Sequence, residues 1–378
     1  MDFALTEDQE MIRASAESFL AAASPSAAVR RAMETTAGYD AALWEELAGR
    51  LGWCATTIAV DHGGLGLGMV EQALLMEQMG RRLLCAPFFS TACLAVAALQ
   101  EAGDGAAQAR YLPDIAAGRL TATVAFATHG VEWLARGPFG HARRDGDGFV
   151  LTGRYRHVPD GATAGLLLLA AVVDDDPAPS LFALAGDLPG LERQPLQTLD
   201  ATRRLAEVRV EALGIPASAR IGTADGTAAG LERASALAAI ALAAEQLGGA
   251  QQCLDLTLVF LGERRQFGRT IASFQAVKHR CAELMVDLEA ARSAVLGAAC
   301  TASAAASTEE LTMEAACAKT LASDTYFRCA QEAIQLHGGV GFTWEYDPHL
   351  YFRRAQASGQ WLGSSARLRE RIAARLLD

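Results

Sequence analysis

The chain has 378 residues, 51% of them hydrophobic, so it is long enough to bury a large core divided among two or three subdomains. Lys and Arg number 33 against 44 Asp and Glu, and the net charge of −11 argues against the basic surface that a nucleic-acid-binding protein needs. The eight cysteines occur without CxxC spacing, which predicts reduced thiols and no metal site.

Neither a signal peptide nor a membrane span is predicted. The amino terminus lacks a basic segment followed by an apolar run, and no stretch is expected to approach the length that crosses a bilayer. The sequence therefore predicts a cytoplasmic protein without membrane contact.

Residues 1–117 are predicted to form an N-terminal α-helical domain. Thr6 and Gln9 have the spacing of a capping box, and apolar residues at helical intervals follow them. The glycine-rich segment 61–68 interrupts the helices before 69–81 resumes them. It lacks a clear preceding strand and a following Lys-Ser/Thr, which argues against a phosphate-binding P-loop.

Residues 118–213 are predicted to form a small central β domain, because short β-prone runs alternate with turns rich in aspartate, proline and glycine. The predicted strands are 121–127, 148–152, 166–173 and 180–184.

Residues 214–378 return to helical patterns, typical of a C-terminal four-helix bundle with short links. The predicted helices are 228–262, 271–301, 311–337 and 364–377. The predicted fold class is thus α+β and multi-domain, with a β domain between two helical ones.

Two motifs in the last third of the chain resemble the carboxyl-terminal signature of the acyl-CoA dehydrogenase family. They read ERRQFGRTIASFQ at 263–275 and QLHGGVGF at 335–342. The α–β–α order matches as well, so the resemblance covers nearly the whole chain. It implies an FAD-containing oxidoreductase of lipid or steroid metabolism that removes two hydrogens across the Cα–Cβ bond of an acyl-CoA thioester. It also implies a dimer or tetramer and an electron-transferring flavoprotein as acceptor.

In the resembled family, these motifs contact the adenosine and pyrophosphate side of an FAD that a neighbouring subunit holds. A guanidinium suits a pyrophosphate because it is permanently charged and grips two oxygens, and glycine lets the backbone approach a ligand closely. The resemblance therefore assigns FAD binding to Arg264, Gln266, Phe267, Gln275, Gln335, Gly338 and Gly339.

The segments that hold the flavin ring in the resembled family match poorly here. In the loop 126–133 only Thr128 and Gly130 correspond, and Thr128 is assigned to the cofactor. The segment 156–161 lacks the family's aromatic residue and threonine, and its Pro159 removes a backbone donor. Because only the half of the site offered to a neighbour is kept, we expect a hetero-oligomer. The chain is similar to the α2β2 enzymes of the actinobacterial steroid-degrading subfamily.

The residue at the family's usual base position is Leu362, and the alternative base position of some relatives is Ala238. A general base contributes roughly 10²–10⁴-fold to the rate, so a leucine does not support the usual chemistry. Glu245, two helical turns beyond Ala238, is the candidate base. Two interpretations stay open for it: an atypical catalytic base, or a carboxylate that pairs with an arginine or caps a helix.

The small residues at 235–239 replace an acidic residue and an arginine that family members often carry. They leave room for a bulky acyl group such as a steroid ring system, or they indicate that this subunit binds no acyl-CoA. Three functions therefore remain open. The chain is a dehydrogenase subunit whose partner supplies the base and the flavin contacts, a self-sufficient enzyme with an atypical base, or a non-catalytic paralogue that stabilises a partner.

Overall fold

A computed structural model describes residues 4–126, 139–174, 176, 178–222, 224–304 and 306–377. The N-terminal region is helical, as predicted. The capping box at its start is confirmed, since the Gln9 N–H donates to Thr6 Oγ1 (3.3 Å) and the Thr6 N–H donates to Gln9 Oε1 (3.0 Å). Its helices are α1 (Glu7–Ala23), α2 (Ser26–Glu34), α3 (Ala41–Trp44), α4 (Met69–Arg81), α5 (Val96–Glu101) and α6 (Gly105–Ala116).

The central region is a mixed sheet of eight strands, in the order β6-β7-β3-β2-β4-β5-β8, with β1 parallel to β4. Its strands are β1 (Ala122–Ala125), β2 (Gly140–Asp145), β3 (Gly148–Pro159), β4 (Leu166–Val173), β5 (Pro179–Ala185), β6 (Leu191–Pro195), β7 (Leu205–Pro216) and β8 (Arg220–Ile221). The four predicted strands are present as β1, β3, β4 and β5. The longest strand without a prediction is β7, which pairs with β3 through two register shifts. The shift between Leu213 and Val210 places the extra residue in β7, which interrupts the alternation that marks a strand in sequence.

The C-terminal region is a helical bundle, and each of its four predicted helices is present. Its elements are α7 (Ala224–Glu263), the hairpin β9 (Arg265–Gln266) and β10 (Arg269–Thr270), α8 (Gln275–Ser303), α9 (Thr308–His337), α10 (Pro348–Ser358) and α11 (Ser365–Leu377). The sequence patterns did not predict α10, whose proline stands at the first turn, where its missing N–H has no cost.

The central helix α7 corrects one expectation. Its stretch Thr227–Glu263 is long and apolar enough to cross a bilayer by length and composition, so the expectation that no segment approaches that length is wrong. However, 67% of its most apolar window is buried inside the protein. Helices α4, α8 and α9 all pack against α7, so it is apolar on several faces, like the core helix of a bundle.

Glycines bring α4 and α7 into backbone contact. A Cβ atom on Gly80 would lie 1.9 Å from the Glu245 carbonyl oxygen, and one on Gly248 would lie 1.8 Å from the Glu77 carbonyl oxygen. Any side chain at either glycine would force the helices apart. This crossing places Glu245 between the N-terminal helices and the bundle.

Candidate functional site

The segment 264–275 begins as an exposed hairpin that continues from α7. Phe267 and Gly268 form its tip with φ of +55° and +77°, the left-handed backbone that a tight two-residue turn requires. The Phe267 residue is 90% exposed, and its ring contacts Phe274 edge-on at 6.3 Å. Arg264, Gln266 and Gln275 are also exposed. The hairpin thus presents an aromatic ring, a guanidinium and amides to the outside of the subunit.

The glycine motif forms the turn that ends α9. Gly338 has φ +67° and ψ −144°, a conformation essentially restricted to glycine. Gln335, Gly338 and Gly339 are exposed, whereas His337 is buried. The turn therefore leaves bare backbone accessible, as close approach to a ligand requires.

Packing brings the two motifs to the same end of the bundle. The His337 ring stacks on Phe260 of α7 with centroids 4.3 Å apart, and its Nδ1 lies 2.6 Å from the Ala333 carbonyl oxygen. Burial lowers the pKa of His337, which favours the neutral imidazole. The Phe260 carbonyl oxygen in turn accepts the Arg264 N–H at 2.9 Å. His337 thus has a structural role, and motifs about seventy residues apart form one surface.

Leu362 lies in the loop between α10 and α11, where it is 4% exposed. It lines a cavity of about 410 Å³ together with Ser235, Ala236 and Ala239 of α7. Its φ of +56° is rare for a residue with a branched side chain, and Gly363 follows with φ +106°. The family's base position therefore faces a cavity, but it contributes a methyl-terminated chain instead of a carboxylate.

Glu245 is 1% exposed and forms ion pairs with Arg203 and Arg354. Arg354 Nη1 lies 3.3 Å from Glu245 Oε1. The void that these three side chains help to line measures about 10 Å³, room for at most one water. This geometry favours the interpretation of Glu245 as a carboxylate paired with arginine. Its role as a base stays a prediction.

Arg203 fills the space beside Glu245. Its guanidinium lies 5.2 Å from the ring of Phe89 and 5.1 Å from the ring of Trp361, which are 5.8 Å apart. Burial lowers the pKa of Arg203 to about 9, and the aromatic faces help to stabilise its charge. The residue next to the family's base position, Trp361, thus packs on a cation of the same chain.

Arg354 anchors the same cluster. It donates from Nε to Thr202 Oγ1 (2.8 Å) and from Nη2 to the carbonyl oxygens of Thr202 (3.0 Å) and Leu84 (3.2 Å). Both arginines lie in stretches that resemble the steroid-degrading subfamily, 199–205 and 349–355, but the sequence assigned neither of them a role in the site. The available signal was two pairs of consecutive arginines, 203–204 followed by Leu205 and 353–354 between Phe352 and Ala355.

On the predicted flavin side, β3 ends at Pro159, and Asp160 follows with φ +50°. The Asp160 carboxylate accepts the Ser90 hydroxyl at 2.6 Å, and burial raises its pKa to about 6. This half-buried carboxylate was not among the predicted site residues. Thr128 lies outside the described residues, so its assignment stays a prediction.

Comparisons with known proteins match almost the whole chain to one protein family. The models for the acyl-CoA dehydrogenase N-terminal and C-terminal domains match residues 6–119 and 227–377. The chain is 35% identical to the acyl-CoA dehydrogenase IpdE2 of Mycobacterium tuberculosis over 366 residues, which cover 97% of this chain and 96% of the relative.

Two solved structures are similar throughout. The ChsE4–ChsE5 complex from Mycobacterium tuberculosis matches with a TM-score of 0.90 and 26% identity, covering 100% of this chain and 99% of that one. The Tcur3481–Tcur3483 steroid ACAD matches with a TM-score of 0.87 and 30% identity, covering 98% of both chains. The chain therefore belongs to the acyl-CoA dehydrogenase family, FAD-dependent oxidoreductases that act on CH–CH bonds, and its relatives are consistent with the actinobacterial steroid subfamily.

Proposed function

We propose that this chain is one subunit of a hetero-oligomeric acyl-CoA dehydrogenase, which desaturates the Cα–Cβ bond of an acyl-CoA thioester. The partner subunit supplies the usual base and the flavin contacts. One contrast carries the proposal. The half of the site that would serve a neighbour's cofactor is accessible, since Phe267 at the hairpin tip is 90% exposed. The interior beside Trp361 is instead filled by the ion pair of Arg203 and Glu245. The proposed acceptor is an electron-transferring flavoprotein, and the proposed compartment is the cytoplasm.

The exposed residues fit the outer half of an FAD site on a partner. Arg264 forms no ion pair within the described chain, so its charge is available for a pyrophosphate. Phe267 offers an uncovered ring, and Gly338 and Gly339 offer bare backbone. When bound, FAD supplies a hydride acceptor for the hydrogen that leaves Cβ. The role of this chain is to hold and orient that cofactor for its neighbour.

The position of the catalytic base also indicates that the two subunits supply different parts of the site. Removal of the α-proton needs a carboxylate within hydrogen-bond reach of that proton. Leu362 has no titratable group, and Glu245 contacts two guanidinium groups around a void of about 10 Å³. The base is therefore assigned to the partner.

The test is to purify this chain alone and after co-expression with candidate acyl-CoA dehydrogenase partner chains that carry the usual glutamate, then to measure flavin absorbance and native mass. We expect the chain alone to be flavin-poor and the co-purified complex to be yellow and hetero-oligomeric. One tightly bound FAD for each copy of the isolated chain would refute the split site.

Two variants distinguish the remaining alternatives, the first within the complex and the second in the isolated chain. Phe267→Ala is expected to lower flavin content without dissociating the subunits. Unchanged flavin content would instead identify a paralogue that only stabilises its partner. Leu362→Glu is expected to add no turnover, because the chain lacks its own flavin. Turnover by the isolated chain, either wild-type or variant, would instead identify a self-sufficient enzyme.

A further inference from the structure

A cluster of three arginines lies on the outward face of the sheet, on the neighbouring strands β3 and β7. Its members are Arg154, Arg156 and Arg209, whose side chains are between 44% and 55% exposed. The residues that alternate with them, Tyr155 and Val208, are buried in the core of the sheet. Arg154 stands directly opposite Arg209 in the pairing of the two strands. Like charges that face each other across a ladder repel, so this arrangement needs an anion.

All three guanidinium groups contact one carboxylate, that of Glu207. Arg154 Nε lies 2.8 Å from Glu207 Oε1, and Arg209 Nη2 lies 3.2 Å from the same oxygen. Arg156 Nε lies 3.4 Å from Glu207 Oε2. A register shift in β3 places two residues, Arg156 and His157, opposite Glu207. The bulge thus brings the third guanidinium to the same point of the sheet.

The cluster carries more positive than negative charge. The hydrogen bond from Arg154 lowers the pKa of Glu207, so this carboxylate is ionised. Glu192 of β6 stands opposite Arg209, but it forms no ion pair with any residue that the structure describes. Three arginines therefore exceed two carboxylates even when Glu192 is counted. Arg154 and Arg156 contact Glu207 through Nε, which leaves their Nη groups to bind a further acceptor.

We infer that this arginine cluster binds the dianion of a small phosphate monoester. Guanidinium groups bind phosphate through two parallel N–H donors, and a charge-assisted bond of this kind is stronger than a neutral one. Because all three groups reach one carboxylate, their free donors converge on a compact ion, whereas an extended acidic peptide suits cations spread along a strand. Glu207 holds the guanidinium groups together. None of the three arginines is assigned to FAD, so the site goes beyond the proposed function.

The test is calorimetric titration of the purified full chain at low salt with AMP, adenosine and hexaglutamate. We expect AMP to bind and adenosine, which lacks the phosphate, not to bind. Arg154→Gln and Arg156→Gln are each expected to weaken AMP binding about three- to tenfold, the contribution of one charge-assisted hydrogen bond at an exposed site. Hexaglutamate is expected to bind more weakly than AMP.

Arg143→Gln is the matched control, because Arg143 lies on β2 of the same sheet, is 59% exposed and has only Asp145 nearby, at 3.7 Å. Equal weakening in this control would show that general charge attracts AMP, and it would overturn the site. Absence of AMP binding by the wild type would do the same. Hexaglutamate binding as tightly as AMP would identify an acidic protein segment as the occupant and overturn the assignment to a phosphate.

Arg264→Gln separates this site from the proposed FAD contact at the hairpin. AMP binding that is lost in Arg264→Gln but kept in both cluster variants would place AMP at the hairpin, and it would overturn the inference without touching the proposed function. The proposed function is tested separately, by the flavin content and native mass of the co-purified complex.

Discussion

Replacement of Glu245 by glutamine tests whether this carboxylate is a structural counter-ion or a catalytic base. The variant keeps the shape of the side chain but removes its charge from a site that is 1% exposed. Arg203 and Arg354 then lose a shared anion while both remain largely buried. The structural interpretation therefore predicts a large loss of stability.

The size of the loss follows from the contacts that remain. Breaking one side of a buried ion pair costs about 3–5 kcal/mol. Arg354 keeps three hydrogen bonds and has Asp200 at 3.8 Å, and Arg203 keeps two aromatic faces. We therefore expect the lower end of the range, about 3 kcal/mol, which lowers the folded-to-unfolded ratio roughly a hundredfold.

Urea unfolding followed by tryptophan fluorescence measures this loss, and Trp361 reports on the cluster because it packs on Arg203. Glu283→Gln is the control, since Glu283 is 62% exposed in its pair with Arg328 and is expected to contribute less than about 1 kcal/mol. If Glu245→Gln unfolds like the control while the assembled enzyme loses turnover, the counter-ion interpretation is wrong and Glu245 is the base.

Lys319→Met should stabilise the protein at neutral pH by on the order of 3–5 kcal/mol, because burial lowers the pKa of Lys319 from 10.5 to about 7. Between pH 7 and 10.5 the unfolded chain binds more protons than the folded one, so the free energy of unfolding of the wild type rises with pH. The urea midpoint of Lys319→Met should lack this pH dependence, and an equal slope of midpoint against pH in both proteins would contradict the prediction. Burial raises the pKa of Asp160 from 3.8 to about 6, so wild-type stability falls as pH rises through this interval, and Asp160→Asn should remove that slope from a thermal-unfolding series. Phe267→Ala should leave the unfolding free energy of the chain unchanged, but it should weaken FAD retention by the complex about three- to tenfold, measured by flavin release. A lower unfolding free energy of the variant chain would show that the ring has a structural role.

Features encoded by neighbouring residues could be predicted from the sequence. The capping box depends on Thr6 and Gln9, three residues apart, and β4 on a continuous apolar run. The chain order of helices, sheet and bundle follows from such local periodicities. The hairpin at Phe267 and the turn at Gly338 are likewise encoded locally, because the glycines that permit their left-handed backbone lie within the motifs themselves. The two motifs therefore identify the surface segments from sequence alone.

Features that depend on distant partners were decided by the tertiary structure. α7 is apolar enough for a membrane, and only its packing among other helices shows that it is a core helix. Glu245 looks like an isolated ionisable residue in sequence, because Arg354 lies 109 residues away and Arg203 belongs to a different region of the fold. Whether a buried carboxylate acts as a base or a counter-ion depends on the charges that surround it, and folding alone brings those charges together.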